Sequence, residues 1–181
     1  MTPVQRIRVP AGFLFGLLYL YFSSPRPLWF AVGMVFCLLG LALRFWASGY
    51  LEKGRRLATR GPYARTRNPL YLGSFLLGLG FTLASSQLWL TALYVFLFAA
   101  VYRPVMRREE EELSSFGPEY RAYREGVPLF FPRARAYPAA KGQEQDECNF
   151  LARRAILNGE YRTVIGFLIV AALSAMKMLW T

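Results

Sequence analysis

The chain has 181 residues, of which 55% are hydrophobic and 17% aromatic, with a formal net charge of +11 and a mean hydropathy of +0.25. One domain is the natural size class, and so much apolar content argues against an ordinary soluble domain. Histidine is absent, which removes imidazole-built zinc sites and every mechanism that needs a histidine base. The basic residues flank apolar runs rather than forming a nucleic-acid-binding module, so the charge points to a membrane and not to nucleic acid.

In chain order, residues 1–10 carry Arg6 and Arg8 and lead into an apolar run over about 9–22. A basic start and a short apolar core resemble a signal peptide, but no A-x-A site follows. The run therefore reads as a retained helix. Gly12 and Gly16 form a GxxxG pair, either a close helix contact or a chance spacing in an apolar, Gly-containing stretch. A second run covers about 28–50 and contains Arg44. A charge there either snorkels to the interface or lines a polar pocket. Trp46 and Tyr50 suit an interfacial belt.

Residues 52–68 form a basic loop with Lys53, Arg55, Arg56, Arg60, Arg65 and Arg67. Apolar runs follow over about 69–85 and 88–104, joined by the short Ser85-Ser86-Gln87 turn, so the two helices must form an antiparallel hairpin. These runs are short for crossing ~30 Å of hydrocarbon. The polar region 103–162 opens on Arg107-Arg108 and the acids Glu109 to Glu112, and its residues 134–146 read as a surface linker. The last apolar run covers about 163–180. The expected fold is thus all-α: one polytopic membrane domain of about five transmembrane helices. All but three of the 22 basic residues (Arg26, Arg44 and Lys177) lie in the N-terminus, the 52–67 loop and the 103–162 region. The positive-inside bias then puts the N-terminus and both polar regions in the cytoplasm, and the C-terminus opposite. The two cysteines, Cys37 and Cys148, make no CxxC pair, and nothing specifies an oligomeric state.

The hairpin returns Arg67-Asn68-Pro69 beside Arg103-Pro104 at the membrane surface, so the basic loop and the acidic run share one face. Glu109 to Glu112 spread around a helix, with Glu109 and Glu112 on one face and Leu113 and Phe116 on another. Either this is a solvated face, or one or two carboxylates hold a cationic ligand. Tyr63, Tyr71, Tyr120 and Tyr123 offer rings to such a cation. A cationic, adenine-bearing methyl donor suits both features.

The pattern Gly61-Pro62-Tyr63, Arg67-Asn68-Pro69, Tyr71 and Gly73, followed after a hairpin by paired glutamates, Gly117, Tyr120, Tyr123 and Val127-Pro128, resembles the isoprenylcysteine carboxyl methyltransferase and phospholipid methyltransferase superfamily. The resemblance covers about residues 44–132. It implies an integral membrane enzyme that uses S-adenosylmethionine, and a lipid-facing opening for a lipophilic or lipid acceptor. It also implies a cofactor pocket made by the Arg67–Tyr71 segment and two glutamates. The residues expected at the cofactor are Tyr63, Arg67, Asn68, Pro69, Tyr71, Glu109, Glu110, Tyr120 and Tyr123, with the glutamate register open by one residue either way. Arg67 and Arg121 are expected to pair an acceptor carboxylate or lipid headgroup, because a guanidinium grips a carboxylate bidentately. Relatives carry histidine where this chain has Asn68. Asparagine donates and accepts hydrogen bonds but is no base near neutral pH.

A carboxylate acceptor needs no base, whereas an ammonium must first lose a proton. A chain without histidine therefore leans toward an acid or thiolate acceptor. Two other readings stand beside this one: a membrane NADPH-dependent reductase of the sterol-reductase type, which would need more spans, and a non-enzymatic lipid-binding membrane protein.

Overall fold

The computed structural model describes residues 3–52, 57–138 and 149–180. Seven α-helices follow in order: α1 (Pro3–Phe22), α2 (Pro27–Tyr50), α3 (Pro69–Ala84), α4 (Leu88–Leu113), α5 (Pro118–Gly126), α6 (Ala152–Leu157) and α7 (Glu160–Trp180). Short 3₁₀ turns occupy Gly61–Ala64 and Ser114–Phe116. Among the described residues there is no strand. Every expected apolar run is helical. Proline stands at the start of α2, α3 and α5, where its missing N–H costs nothing and its fixed φ suits the first turn.

Three segments are long and apolar enough to cross a membrane, Pro27–Tyr50, Leu88–Phe116 and Glu160–Trp180, and two shorter apolar helices, Gly12–Phe22 and Pro69–Ala84, complete the five runs. The 16 residues of α3 reach only about 24 Å at 1.5 Å per residue. The largest departure from expectation is α4. It does not end near residue 104 but runs through Pro104 to Leu113 as one helix. The acidic run is therefore the last part of the same helix that carries the fourth apolar run.

The tightest packing is between α2 and α3. A Cβ built on Gly33 would lie 2.3 Å from the Gly80 carbonyl oxygen, and one built on Gly40 would lie 2.6 Å from that of Gly73. Only a bare α-carbon allows two helix backbones so close. The contact sits in these two pairs and not at Gly12 and Gly16, where an added Cβ would meet nothing within 4 Å. Gly40→Val is expected to force the helices apart and cost about 1–3 kcal/mol. The check is the thermal unfolding midpoint in detergent, and Gly12→Val, which has room, serves as the comparison.

The last helix is tied at both ends. Near its far end, Ser174 Oγ and the Tyr19 hydroxyl are 2.8 Å apart, and Lys177 Nζ donates to the Leu20 and Tyr21 carbonyls at 2.7 and 2.9 Å. These carbonyls close α1, so the lysine satisfies acceptors that its final turn leaves open. At the other end α6 docks on the close of α2. The Phe150 ring lies 6.0 Å from that of Tyr50, Asn158 Nδ2 donates to the Ser48 and Leu51 carbonyls at 3.0 and 3.1 Å, and Arg154 pairs with Glu52. The expected linker 134–146 and Cys148 lie largely outside the described residues.

Candidate functional site

The segment opened by the 3₁₀ turn at Gly61–Ala64 is laced to a distant partner. Arg67 N donates to the Pro128 carbonyl at 2.9 Å, Arg133 N to Arg65 at 2.9 Å, and Tyr137 N to Ala64 at 2.8 Å. The buried Thr66 hydroxyl donates to the Phe130 carbonyl at 2.8 Å. Residues 128–137 thus run antiparallel to 64–67 and supply both carbonyl acceptors and N–H donors to its backbone and to Thr66. The Tyr123 hydroxyl donates to the Tyr63 carbonyl at 2.8 Å and fixes the turn from α5. Leu57, Tyr120, Tyr123 and Val127 form the small core beneath it.

Asn68 is the N-cap of α3, yet it makes no side-chain capping bond. Its Nδ2 instead donates to the Leu129 carbonyl at 3.0 Å. An asparagine in this position ordinarily caps its own helix. Here the side chain is diverted to hold the 128–137 segment, so the expected cofactor residue spends its amide donor on backbone. Pro69, buried, starts α3 and sets its direction.

From this start the first turn of α3 faces the last turns of α4. The Tyr71 hydroxyl donates to Glu109 Oε1 at 2.6 Å, and its ring meets that of Tyr102 edge to face, with 5.3 Å between centroids. Arg67 forms an ion pair with Glu110, both side chains mostly buried at 12% and 14% exposure. Glu111 and Glu112 turn outward, and Glu112 makes only a 3.6 Å surface pair with Arg108. The two expected glutamates are thus the inward pair of the four. The helix face that was expected to join Glu109 and Glu112 is divided instead, because Glu109 turns inward and Glu112 outward. Leu113 packs on the small core, but Phe116 is exposed rather than buried.

Two polar atoms in the cluster are buried without a hydrogen-bond partner among the described residues: Arg67 Nε and the Tyr120 hydroxyl. Tyr120 itself is 1% exposed. Burial pushes its hydroxyl above the ordinary phenol value, and the Glu110 carboxylate adds to the effect, while Arg67 pulls the other way. Burial also raises Tyr63 and Tyr123. All three are therefore neutral phenols near pH 7, able to donate a hydrogen bond but not to act as phenolate bases. Their folded values stand above the ordinary 10.0, so the unfolded chain loses these protons first as pH rises. Stability is expected to hold below pH 10 and fall above it. Far-ultraviolet circular dichroism across an alkaline titration checks this, with Tyr120→Phe predicted to soften the fall. Arg121 is exposed on α5 and is not part of this hydrogen-bonded cluster.

A second polar centre, not foreseen from the sequence, adjoins the first. Arg44 Nε and Nη2 donate to Glu160 Oε2 and Oε1, each at 2.9 Å. Nη1 reaches the Leu70 carbonyl at 3.4 Å and also Ser74 Oγ, and Nη2 reaches Thr163 Oγ1 at 3.3 Å. Arg44 thus neither snorkels nor stands free in a pocket. It joins α2, α3 and α7. The charges of Glu109, Glu160 and Arg44 all act on the Tyr63 hydroxyl, and Arg44 bonds the Leu70 carbonyl next to Tyr71, the partner of Glu109, so the two centres are neighbours. The available signal was a pair of opposite charges, one inside an apolar run and one at the opening of another.

Comparison with known proteins gives the same region. Residues 30–116 match the family model described as phospholipid methyltransferase. The cobalt-zinc-cadmium resistance protein CzcN of Cupriavidus metallidurans is 36% identical over 113 residues, which are 61% of this chain and 52% of that protein. The nickel-cobalt-cadmium resistance protein NccN of Alcaligenes xylosoxydans xylosoxydans is 35% identical over 104 residues, 56% of this chain and 49% of that protein. The chain spans about half the length of these curated relatives.

Proposed function

We propose, from the match of residues 30–116 to the phospholipid methyltransferase family model, that the chain belongs to the isoprenylcysteine carboxyl methyltransferase-like superfamily and transfers a methyl group from S-adenosylmethionine to a lipophilic or lipid acceptor at the membrane surface. One observation carries the reading: α3 and α4 join through Tyr71–Glu109 and Arg67–Glu110, putting two mostly buried carboxylates beside orphaned donors. A ligand with a positive centre and its own acceptor groups fits this set. The carboxylates favour the cation, and Arg67 Nε, buried without a hydrogen-bond partner among the described residues, is open to its acceptors, beside the Tyr120 hydroxyl that Arg67 itself approaches. S-adenosylmethionine meets both demands, with Tyr71, Glu109, Glu110, Arg67 and Tyr120 as the residues that would hold it.

When bound, that cofactor supplies an electrophilic methyl on a sulfonium. The chain supplies position, which is worth ~7–11 kcal/mol in a well-aligned displacement. The Arg67 guanidinium offers only donors and the buried tyrosines are neutral, so neither takes a proton from the acceptor. A carboxylate or thiolate acceptor needs no such step, which keeps the isoprenylcysteine-like reading ahead of the lipid-amine one. Arg121, exposed toward the headgroup level, is assigned to attracting an anionic acceptor, a contribution of about 1 kcal/mol near the surface. With most basic residues flanking the site side of the spans, we place that side and the N-terminus in the cytoplasm and the C-terminus opposite.

Both relatives are named for metal resistance. In this chain there is no histidine, and among the described residues no group of three or more His, Cys, Asp or Glu is arranged to hold a metal ion. We connect any part in metal resistance to methyl transfer by the family-matched segment.

The test is a calorimetric titration of the purified full-length protein with S-adenosylmethionine and with its demethylated product. Saturable binding of both is expected. Binding of NADPH in their place would move the reading to a reductase, and binding of none of the three would leave a lipid-binding protein. Transfer of a labelled methyl group into a mixed lipid extract then identifies the acceptor.

A further inference from the structure

Residues 128–132, Pro-Leu-Phe-Phe-Pro, lie within the long polar region 103–162, but their rings do not stay at its level. The Phe130 ring lies 5.8 Å from that of Phe75 and 6.0 Å from that of Phe98. Both partners belong to apolar runs, and Phe98 stands five residues before Arg103, where the run on α4 meets its first charge. Five helical residues rise about 7.5 Å, so Phe130 packs on the membrane side of that arginine. The next ring, Phe131, is 5.3 Å from Phe130 and yet 75% exposed. So open a ring lines no cleft of the protein, and at that depth what surrounds it is hydrocarbon. The backbone is prepared for such a place. Non-helical chain at membrane depth requires partners for its polar groups, and three successive carbonyls have them: Pro128 from Arg67 N, Leu129 from Asn68 Nδ2 and Phe130 from the Thr66 hydroxyl. Pro128 and Pro132 bring no N–H that would need one.

We propose that residues 128–132 are a membrane anchor: Phe131 inserts among the acyl chains beside α3 and α4, and the bilayer thereby holds the segment to which Thr66, Arg67 and Asn68 are bonded. The partner is the lipid bilayer and not a second protein. One exposed ring between two prolines offers far less than the ~800 Å² per partner of a stable protein interface, and it continues an apolar surface that the spans already present to lipid. Arg133 and Arg135 follow at once, as suits a chain that leaves hydrocarbon for anionic headgroups. The anchor also accounts for the side chain of Asn68. Its amide reaches a carbonyl that would be left open at membrane depth, a more costly loss than an uncapped helix end in water. The inference does not depend on the methyl-transfer reading, since it needs only the depth of Phe130 and the exposure of Phe131.

The experiment uses the full-length protein in phosphatidylcholine nanodiscs, with Cys37→Ala and Cys148→Ser so that one added cysteine carries a nitroxide. Its collisions with oxygen, which partitions into hydrocarbon, are compared with those of a nickel chelate, which stays in water. At Phe131→Cys oxygen is expected to dominate, as it should at Phe96→Cys on the exposed face of α4. The order should reverse at Arg121→Cys, exposed on α5. Dominance of the nickel chelate at position 131 overturns the anchor. A second measurement, free of labels, follows hydrogen exchange of the Arg67 amide, which is bonded to the Pro128 carbonyl. In Phe131→Ser this amide is expected to exchange about tenfold faster, the effect of losing the burial of one apolar side chain on local opening. Phe131→Leu, still apolar, should keep most of the protection. Equal exchange in Phe131→Ser and the unaltered protein would show that the hydrogen bonds alone hold the segment and would overturn the bilayer's part. Unaltered exchange along α2 shows that each variant has folded.

Discussion

Replacing Arg44 by methionine is expected to destabilise the protein by about 3 kcal/mol, the lower end of what breaking a buried ion pair from one side costs. All five guanidinium N–H groups are engaged: Nε and Nη2 on the two oxygens of Glu160, Nη2 also on Thr163, and Nη1 on Leu70 and Ser74. Removing them leaves the Glu160 carboxylate, 7% exposed, without its counter-charge. It also leaves α7 without its link to α2 and α3 at this level. Arg44→Lys keeps the charge but cannot reproduce the planar fork, so about half the loss should remain. The double variant Arg44→Met with Glu160→Leu removes both charges and should recover most of the stability, since a desolvated pair is often no better than apolar packing. Thermal unfolding in detergent, read as a double-mutant cycle, separates these outcomes. An Arg44→Met midpoint within error of the unaltered protein would return the residue to the snorkelling role.

Where the sequence was readable, the reason is physical and local. Five apolar runs bounded by Pro27, Pro69 and the Ser85-Ser86-Gln87 turn became helices because a helix satisfies every backbone group of a run within the run itself. The meeting of Arg67 with the acidic run was also legible in outline, because a two-helix hairpin must return to the side it left. The exact partners were not. The sequence put the contact at Arg103-Pro104; the structure has one beside it, at Tyr102, and, because α4 continues past Pro104, further contacts at Glu109 and Glu110. Which two of four glutamates face inward depends on the rotation at which α4 leaves the membrane, a property of the packed helices and not of the acidic run. Asn68 shows the other kind of limit. Its partner, the Leu129 carbonyl, lies 61 positions along the chain, and no local pattern announces it. Arg44 and Glu160 are 116 positions apart, and neither signals the other beyond being a charge beside an apolar run. Close helix contact likewise fell to Gly33, Gly40, Gly73 and Gly80, dispersed over two helices, rather than to the GxxxG pair in α1.

The second large effect concerns Glu110. In Glu110→Gln the side chain keeps its size and one acceptor oxygen but loses the charge opposite Arg67. Both members of the pair are mostly buried, yet neither is sealed from solvent, so the full cost of an uncompensated buried charge does not apply. Losing a full negative charge several ångströms from a cationic ligand costs about 2 kcal/mol at the effective dielectric of a partly buried site, which converts to roughly 30-fold weaker S-adenosylmethionine binding on the methyl-transfer reading. Two consequences act in the same direction: a negative group is gone from beside the sulfonium, and an unpaired guanidinium adds its own repulsion. Glu111→Gln, on the outward face, carries neither consequence and should change affinity by less than about twofold, within the range of surface charge effects. Arg67→Lys should fall between them, because an ammonium still neutralises Glu110 but without the fork. The calorimetric titration that tests cofactor binding ranks all three. Equal affinity losses in Glu110→Gln and Glu111→Gln would mean that the acidic run acts as a diffuse field. A larger loss in Glu111→Gln would mean that α4 turns a different face to the cofactor when it binds.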